Sequence, residues 1–87
     1  MRFEFDVAKS KANLAKHGLD FDEAQTLWLD LEGLVVPSRQ QKEPRKLLIA
    51  QREGKLWTAI FTERSDVIRI ISVRRSRDNE RSAYYEQ

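Results

Sequence analysis

The fold is decided by two stretches in the second half of the chain, Leu56-Trp57-Thr58-Ala59-Ile60-Phe61-Thr62-Glu63 and Val67-Ile68-Arg69-Ile70-Ile71-Ser72-Val73. Both are rich in β-branched and aromatic residues, which favour strands, and a short polar segment separates them. They predict two strands, Leu56–Glu63 and Val67–Val73, that pair in a hairpin turning at Ser65-Asp66.

The register of this hairpin predicts which face of the sheet carries the arginines. With a two-residue loop, Arg64 lies opposite Val67 and Thr62 lies opposite Arg69. One face then displays three arginines among threonines and small aliphatic residues: Arg64, Arg69 and Arg75. The other face is bulkier and is the expected seat of the N-terminal helices. It holds Trp57, Phe61, Ile68 and Ile70, with Glu63 and Arg74 at its ends.

The rest of the chain supplies further strands and helices. Strands are predicted at 2–5, 33–37 and 45–51, and helices at 7–17, 21–29 and 76–86. The order β-α-α-β-β-β-β-α, with short connections, predicts an α+β fold: a small antiparallel sheet, two N-terminal helices packed on it and a short C-terminal helix. The length of 87 residues suits one domain, 1–87.

Capping residues set the limits of the first two helices. Asp6 is a suitable N-cap for a helix over Val7–His17, and Gly18 is a suitable C′ residue. In the next helix, Asp20 and Glu23 form a capping box. At 100° per residue, three alanines of the first helix line one arc, and three polar residues lie opposite. The alanines are Ala8, Ala12 and Ala15, with Val7 and Leu14 beside them; the polar residues are Lys9, Asn13 and Lys16.

Charge is distributed unevenly along the chain. Residues 1–32 carry four basic and seven acidic residues, whereas residues 33–87 carry twelve basic and seven acidic ones. A basic half rich in arginine indicates an anionic ligand, because the guanidinium fork binds phosphate in a bidentate manner. The absence of cysteine, and of any long apolar run, excludes disulfides and a membrane span. We expect a cytoplasmic protein without a cofactor.

Two groups of residues resemble the BrnT toxins. The first runs from Phe3-Glu4-Phe5-Asp6 through Lys9, Asn13 and Lys16-His17-Gly18 to Phe21 and Glu23-Ala24. The second comprises Thr62-Glu63-Arg64, Arg69-Ile70-Ile71-Ser72, Arg74, Glu80-Arg81 and Tyr84. Relatives carry a His-Ser pair in the middle loop where this chain has Arg39-Gln40, and a tryptophan where it has Phe5; Glu43 and Arg45 fit the pattern that follows the pair.

The resemblance implies a fold, an activity and a partner. The fold is RelE-like, and the activity is that of a type II toxin: an endoribonuclease that cleaves RNA and arrests translation. The partner is a BrnA-type antitoxin, a small DNA-binding protein that represses the shared operon. A dimer within the toxin–antitoxin complex is compatible with this picture.

RNA cleavage without a metal requires a base for the 2′-hydroxyl, cations for the pentavalent phosphate and an acid for the leaving 5′-oxygen. With one histidine in the chain, the candidates for the base are His17, Glu63, a lysine or a tyrosine. Each candidate has a structural alternative. His17 can cap its helix, and Glu63 can form an ion pair with Arg64, Arg74 or Lys46.

Arginines are the better candidates for binding the transition state, because charge complementarity is all that this role requires. Arg64, Arg74 and Arg81 are predicted to clamp the reacting phosphate. Lys16, Arg69, Arg75 and Arg77 are predicted to bind RNA. Tyr84 either donates a proton, stacks on a base or packs the last helix. That helix has little to bury, so we expect it to dock weakly on the sheet.

Two other functions fit the same arginine pattern. One is a non-catalytic nucleic-acid-binding co-repressor that acts with a partner protein. The other is an interaction module whose arginines bind an acidic protein segment. Cleavage of naked RNA without added metal distinguishes the toxin from both. Metal and nucleotide-cofactor enzymes fit poorly, because the chain has one histidine, no cysteine and no glycine-rich phosphate loop.

Overall fold

A five-stranded sheet forms the centre of the computed structural model, which describes residues 1–38 and 44–87. The strands are β1 (Arg2–Glu4), β2 (Leu34–Pro37), β3 (Lys46–Arg52), β4 (Lys55–Arg64) and β5 (Val67–Arg75). The helices are α1 (Val7–His17), a 3₁₀ helix (Glu23–Leu29) and α2 (Asp78–Glu86). The strands lie in the order β1-β5-β4-β3-β2. The α+β class agrees with the prediction.

Two details of the predicted architecture are wrong. The sheet is mixed, because β1 pairs in parallel with β5, and only β2 to β5 form the antiparallel meander. Parallel pairing is available to β1 because α1 and the rest of the chain lie between the two strands in sequence. The second helical segment is a 3₁₀ helix that begins at Glu23 rather than an α-helix from Phe21. Its capping box is present, since Asp20 accepts from the Glu23 N–H at 2.7 Å.

The β3–β4 and β4–β5 hairpins each turn through two residues. In the β3–β4 hairpin, Glu53 and Gly54 have φ values of 52° and 78°. Positive φ at both positions is typical of a type I′ turn, which matches the twist of the flanking strands. In the β4–β5 hairpin, Arg64 pairs with Val67 and Thr62 with Arg69, as predicted.

A β-bulge interrupts the pairing of β4 with β5. Ile60 pairs with Ser72 and Phe61 with Ile70, so Ile71 is the extra residue. Because side chains alternate along a strand, one extra residue reverses the faces of every residue beyond it. The predicted two-residue loop, continued along the strands without a bulge, would pair Thr58 with Val73; this is wrong, and Thr58 pairs with Arg74 instead.

The main core lies on one face of the sheet, beneath the N-terminal segments. Its buried residues are Leu19, Phe21, Ala24, Leu27, Leu48, Ala50, Trp57, Ala59, Phe61, Ile68, Ile70 and Val73. Trp28 contacts Phe3 and Phe61 edge-on, with ring centroids 5.1 and 5.2 Å apart. These contacts join β1, the 3₁₀ helix and β4. The bulky face therefore packs against the N-terminal segments, as predicted.

Helix α1 packs with its polar side inward, contrary to the predicted alanine-lined contact. Its buried residues are Ser10 and Asn13, whereas Ala8, Ala12 and Ala15 are exposed. The Asn13 side chain donates to the carbonyls of Leu19 (2.7 Å) and Val73 (2.9 Å). The spacing of apolar residues therefore did not identify the buried side of α1. This side carries polar side chains that form hydrogen bonds with backbone groups of neighbouring segments instead of burying apolar surface. The limits of α1, with Asp6 as N-cap and Gly18 in the left-handed conformation, match the prediction.

Helix α2 packs on the opposite face of the sheet and is held more firmly than predicted. Tyr84 joins Ile49 and Leu56 in a second buried cluster, with Leu34 packed against it. Glu80 and Tyr84 are each 7% exposed. The helix therefore attaches to the sheet through two buried polar side chains rather than through a broad apolar stripe. Among the described residues, no helix is long and apolar enough to cross a membrane.

Candidate functional site

The face of the sheet opposite the main core carries three arginines, and we call it the arginine face: Arg64, Arg69 and Arg74. The first two were predicted to share a face, and their pairing with Val67 and Thr62 places them on one. Arg74 joins them because the bulge reverses the alternation. Arg75 was predicted to lie on this face, but it lies on the other one. Its guanidinium carbon is 5.5 Å from the centroid of the Trp57 ring, in a cation–π contact.

The best-defined contact on the arginine face is the pair of Arg74 and Glu80. Arg74 Nη1 donates to Glu80 Oε1 at 2.8 Å, and Nη2 donates to Oε2 at 2.9 Å. This bidentate geometry is the strong form of an arginine–carboxylate contact. Nη1 also donates to the carbonyl of Arg75 at 3.3 Å. Within the described residues, this leaves Nε and the second hydrogen of Nη2, out of five N–H donors, for another acceptor.

Glu80 collects hydrogen bonds from three elements. Besides Arg74 of β5, its Oε1 accepts from the Thr58 hydroxyl of β4 at 2.9 Å and from the Arg77 N–H at 2.8 Å. The Thr58 hydroxyl is also 2.9 Å from that of Ser76. Because Glu80 is the third residue of α2, its negative carboxylate is also stabilised by the positive N-terminal end of the helix dipole. One side chain therefore ties the start of α2 to two strands.

The protonation of this cluster is fixed over the neutral range. Burial works against ionisation of Glu80, but hydrogen bonds from Arg74, Arg77 and Thr58 outweigh it and lower the pKa of Glu80 to about 2. The hydrogen bonds to Glu80 raise the pKa of Arg74, against the effect of burial. Glu80 is thus a permanent carboxylate whose acceptor capacity is used within the protein, which suits it to hold Arg74 rather than to exchange protons.

Two adjacent grooves lie on the arginine face. The helix groove lies beside α2 and is lined by Arg74, Arg77, Asn79 and Glu80 together with strand residues. The hairpin groove lies towards the β4–β5 turn and is lined by Glu4, Lys9, Glu63, Arg64 and Arg69 together with strand residues. Arg45 and Ile71 line both grooves. The two grooves are therefore adjacent, and we call them together the channel.

The hairpin groove combines cations with carboxylates. Arg69 pairs with Glu4 at 3.1 Å, and both side chains are about half exposed, at 50% and 52%. Glu63 pairs with Lys46 at 3.4 Å, one of the ion pairs expected for it. Exposed pairs of this kind contribute little to stability, so an incoming phosphate can displace them at low cost. Arg64 is exposed at the end of β4.

Of the predicted residues in and next to α2, Arg77 and Arg81 are exposed and Tyr84 is buried. Arg77 is exposed and borders the helix groove, whereas Arg81 pairs with Asp78 and donates to the carbonyl of Ser76 at 3.2 Å. The Tyr84 hydroxyl donates to Asp30 at 2.7 Å. Burial raises the pKa of Tyr84 to about 12, and the contact with Asp30 adds to that effect. Of the three roles considered for Tyr84, this environment agrees with packing of the last helix.

His17 and Lys16 end helix α1 and border neither groove. The structure therefore does not bring these two residues together with the arginines of β4 and β5. Predicted loop residues Arg39, Gln40 and Glu43 lie outside the described residues. No group of three or more histidine, cysteine or acidic side chains in the described ranges could hold a metal ion.

Sequence reasoning missed the central position of Glu80. Nothing in the sequence indicated that its buried neighbours Thr58 and Ser76 would form hydrogen bonds in this cluster. The signal for Glu80 was its place as the third residue of a predicted helix, where a glutamate reaches back to the N-cap N–H. The side chain of Glu80 does accept from the Arg77 N–H, and that position also brings it beside Arg74.

The model of a protein family matches residues 5–80 of the chain, and its description is ribonuclease toxin, BrnT, of type II toxin-antitoxin system. The chain belongs to the BrnT family. The match spans every strand from β2 to β5, the arginines that line the two grooves, and Glu80. A search of curated proteins found no match. As a BrnT protein, the chain is a ribonuclease toxin whose target is RNA and whose partner is an antitoxin.

Proposed function

We propose that residues 1–87 act as one RelE-like BrnT domain in the bacterial cytoplasm. The domain cleaves RNA without a metal ion, arrests translation and growth, and is neutralised by a BrnA-type antitoxin in a complex that binds operator DNA through the antitoxin. The observation that carries the proposal is the pair of adjacent grooves bordered by Arg64, Arg69, Arg74 and Arg77 in a chain of the BrnT family.

The channel suits a single RNA strand because its cations are arranged in a row rather than in one cluster. Exposed arginines at the hairpin end, Arg64 and Arg69, bind phosphates on one side of the scissile bond. Arg77 binds on the other side, at the start of α2. Between them, Ile71 offers an apolar surface on which a base can rest. This arrangement positions the backbone without demanding a particular sequence.

Arg74 is the proposed clamp of the transition state. As the 2′-oxygen attacks the phosphorus and the bond to the 5′-oxygen breaks, negative charge grows on the non-bridging phosphate oxygens. Arg74 suits this role because two of its N–H groups are not used by Glu80 or the Arg75 carbonyl. A guanidinium that is already held in place stabilises the growing charge without reorienting. The products are a 2′,3′-cyclic phosphate and a 5′-hydroxyl.

Glu63, predicted as a candidate base, is not placed to act on a phosphate that Arg74 holds. It borders the hairpin groove next to Arg64, but it pairs with Ile68, whereas Arg74 pairs with Thr58, about 16 Å away along β4. In this scheme a water molecule in the channel takes the 2′-hydroxyl proton, and water returns a proton to the leaving 5′-oxygen, so the overall proton count is balanced. His17 and Tyr84 are less suitable, because His17 borders neither groove and the Tyr84 hydroxyl is bound to Asp30.

Induced expression in a bacterium tests the proposal as a whole. Wild type is compared with Arg64→Ala and Arg74→Ala while growth and RNA integrity are followed. We expect growth arrest and RNA decay in the wild type alone, and rescue by co-expression of the antitoxin. The purified wild type should cut a single-stranded RNA in the presence of a chelator, leaving cyclic phosphate ends. An inactive wild type that still binds RNA would favour the non-catalytic co-repressor.

A further inference from the structure

We infer that Glu80 is a positioning residue for the cleavage reaction: it fixes the guanidinium of Arg74 in the helix groove through its bidentate contact. The inference rests on the proposed role of Arg74 in the ribonuclease reaction and assigns a function to a residue that does not itself touch RNA. It explains why a carboxylate, which repels phosphate, lies in a channel bordered by cations.

The geometry of the pair favours positioning over substrate contact. The Arg74 side chain is 19% exposed and that of Glu80 is 7% exposed, so the carboxylate lies behind the guanidinium. Both oxygens of Glu80 are occupied by Arg74, and one of them also accepts from Thr58 and Arg77. A side chain held by this many bonds has one orientation, and it transmits that orientation to its partner.

The placement of Glu80 itself is set by two rigid elements. Its backbone belongs to the first turn of α2, and its side chain bonds to Thr58, a fully buried residue in the centre of β4. The other end of α2 is tied down separately, by the hydrogen bond from Tyr84 to Asp30. The docking of α2 and the positioning of Arg74 can therefore be perturbed independently, from opposite ends of one helix.

Glu80→Gln is the decisive variant. Glutamine has nearly the same shape and keeps one oxygen acceptor, but its amide group opposes the N–H groups of Arg74, so the bidentate contact is lost. With purified protein and a short single-stranded RNA, we expect kcat to fall by about 10- to 100-fold, because a small displacement of a catalytic group has effects of that size. KM should change little, since Arg64, Arg69 and Arg77 remain.

A double-variant cycle separates positioning from an independent contribution. If Glu80 acts through Arg74, then Arg74→Ala with Glu80→Gln should be no slower than Arg74→Ala alone. Arg74→Lys keeps the charge but cannot form two parallel bonds, so its kcat should also be low. It leaves Glu80 in place and serves as the alternative if Glu80→Gln does not fold. Losses that multiply in the double variant would overturn the inference.

Asp30→Asn is the matched control. It weakens the attachment of α2 at the Tyr84 end without contacting Arg74. We expect it to lower thermal stability, as Glu80→Gln does, while kcat per folded molecule stays within about twofold of wild type, since it leaves the arginine pair untouched. An equal loss of kcat in Asp30→Asn and Glu80→Gln would assign the effect to helix docking and contradict the inference.

A readout without RNA keeps this inference distinct from the proposed function. The guanidinium resonances of Arg74 in a ¹⁵N NMR spectrum should show restricted rotation and slow exchange in the wild type and lose both in Glu80→Gln. If the wild type cuts no RNA, the proposed ribonuclease fails, yet restricted Arg74 resonances would still support the positioning contact. Freely rotating Arg74 in the wild type would overturn it, as would unchanged kcat in Glu80→Gln.

Discussion

The side-chain amide of Asn13 pairs with the peptide groups of Val73 as a neighbouring strand would. Asn13 Nδ2 donates to the Val73 carbonyl at 2.9 Å, and the Val73 N–H donates to Asn13 Oδ1 at 3.1 Å. β1 accompanies β5 only as far as Arg69, so the edge of β5 is open at Val73. One residue of α1 thus completes the sheet directly after the bulge.

Loss of the Asn13 amide should destabilise the protein strongly. Asn13→Ala leaves the buried N–H and carbonyl of Val73 unpaired, and we expect the free energy of unfolding to fall by about 2–4 kcal/mol. Urea unfolding followed by tryptophan fluorescence measures the change. Lys11→Ala, an exposed site on the same helix, should alter stability by no more than about 0.5 kcal/mol. Equal effects of the two substitutions would mean that the contact with Val73 contributes nothing.

Glu80 should make stability depend on pH in the acid range. Its pKa is about 2 in the folded protein and 4.5 as a free side chain. A lowered pKa means that the stabilisation is complete above about 4.5 and is lost as the pH falls through about 2. The difference corresponds to roughly 3 kcal/mol. Unfolding at a series of pH values should show this slope in wild type and a weaker one in Glu80→Gln; parallel curves would contradict the assignment.

The adjacent arginines should differ in function. Arg74→Ala removes the proposed clamp and should reduce RNA cleavage by about 100-fold, an effect typical of a lost transition-state donor. Arg75→Ala removes a cation–π contact with Trp57 on the other face, so it should mainly cost about 0.5–1 kcal/mol of stability. Cleavage rates and urea midpoints of both variants test this. A larger loss of cleavage in Arg75→Ala would show that the assigned faces are wrong.

Tyr84 should act on stability rather than on chemistry. Tyr84→Phe removes the hydrogen bond to Asp30 and should cost about 1–2 kcal/mol, while cleavage per folded molecule is retained. Because the pKa of Tyr84 is raised from 10.0 to about 12, its stabilisation is complete below 10 and is lost as the pH rises towards 12. Alkaline unfolding of wild type and Tyr84→Phe measures it. Loss of cleavage in a fully folded Tyr84→Phe would instead place Tyr84 in the reaction.

Local chemistry made the elements predictable. The cap residues Asp6 and Gly18 set α1 at Val7–His17 in both the prediction and the structure. The two-residue turn at Ser65-Asp66 fixed the register at the hairpin end, so Arg64 and Arg69 were assigned to the same face correctly. Both results depend on neighbours in sequence, where residue type and conformation are most closely linked.

Long-range contacts made the remaining features unpredictable. The extra residue Ile71 has no sequence signature in a run of aliphatic residues, yet it decides the faces of Arg74 and Arg75. The local pattern of α1 placed Asn13 on a polar side of the helix. Its burial could not be predicted, because its partner Val73 is 60 residues away in sequence. The parallel pairing of β1 with β5 likewise depends on the complete sheet. Part of the proposed site could thus be predicted, but its central pair could not.

The bulge in β5 precedes two consecutive arginines, and this doublet makes the site tolerant of a one-residue shift in strand register. If β5 paired with β4 without the bulge, the register beyond Phe61 would shift by one residue, so that Arg74 would pair with Trp57 and Arg75 would move to the arginine face. A single arginine at this point would then leave the channel without its central cation. With Arg74 and Arg75 side by side, either alignment of the strand presents one guanidinium to the channel and one to Trp57.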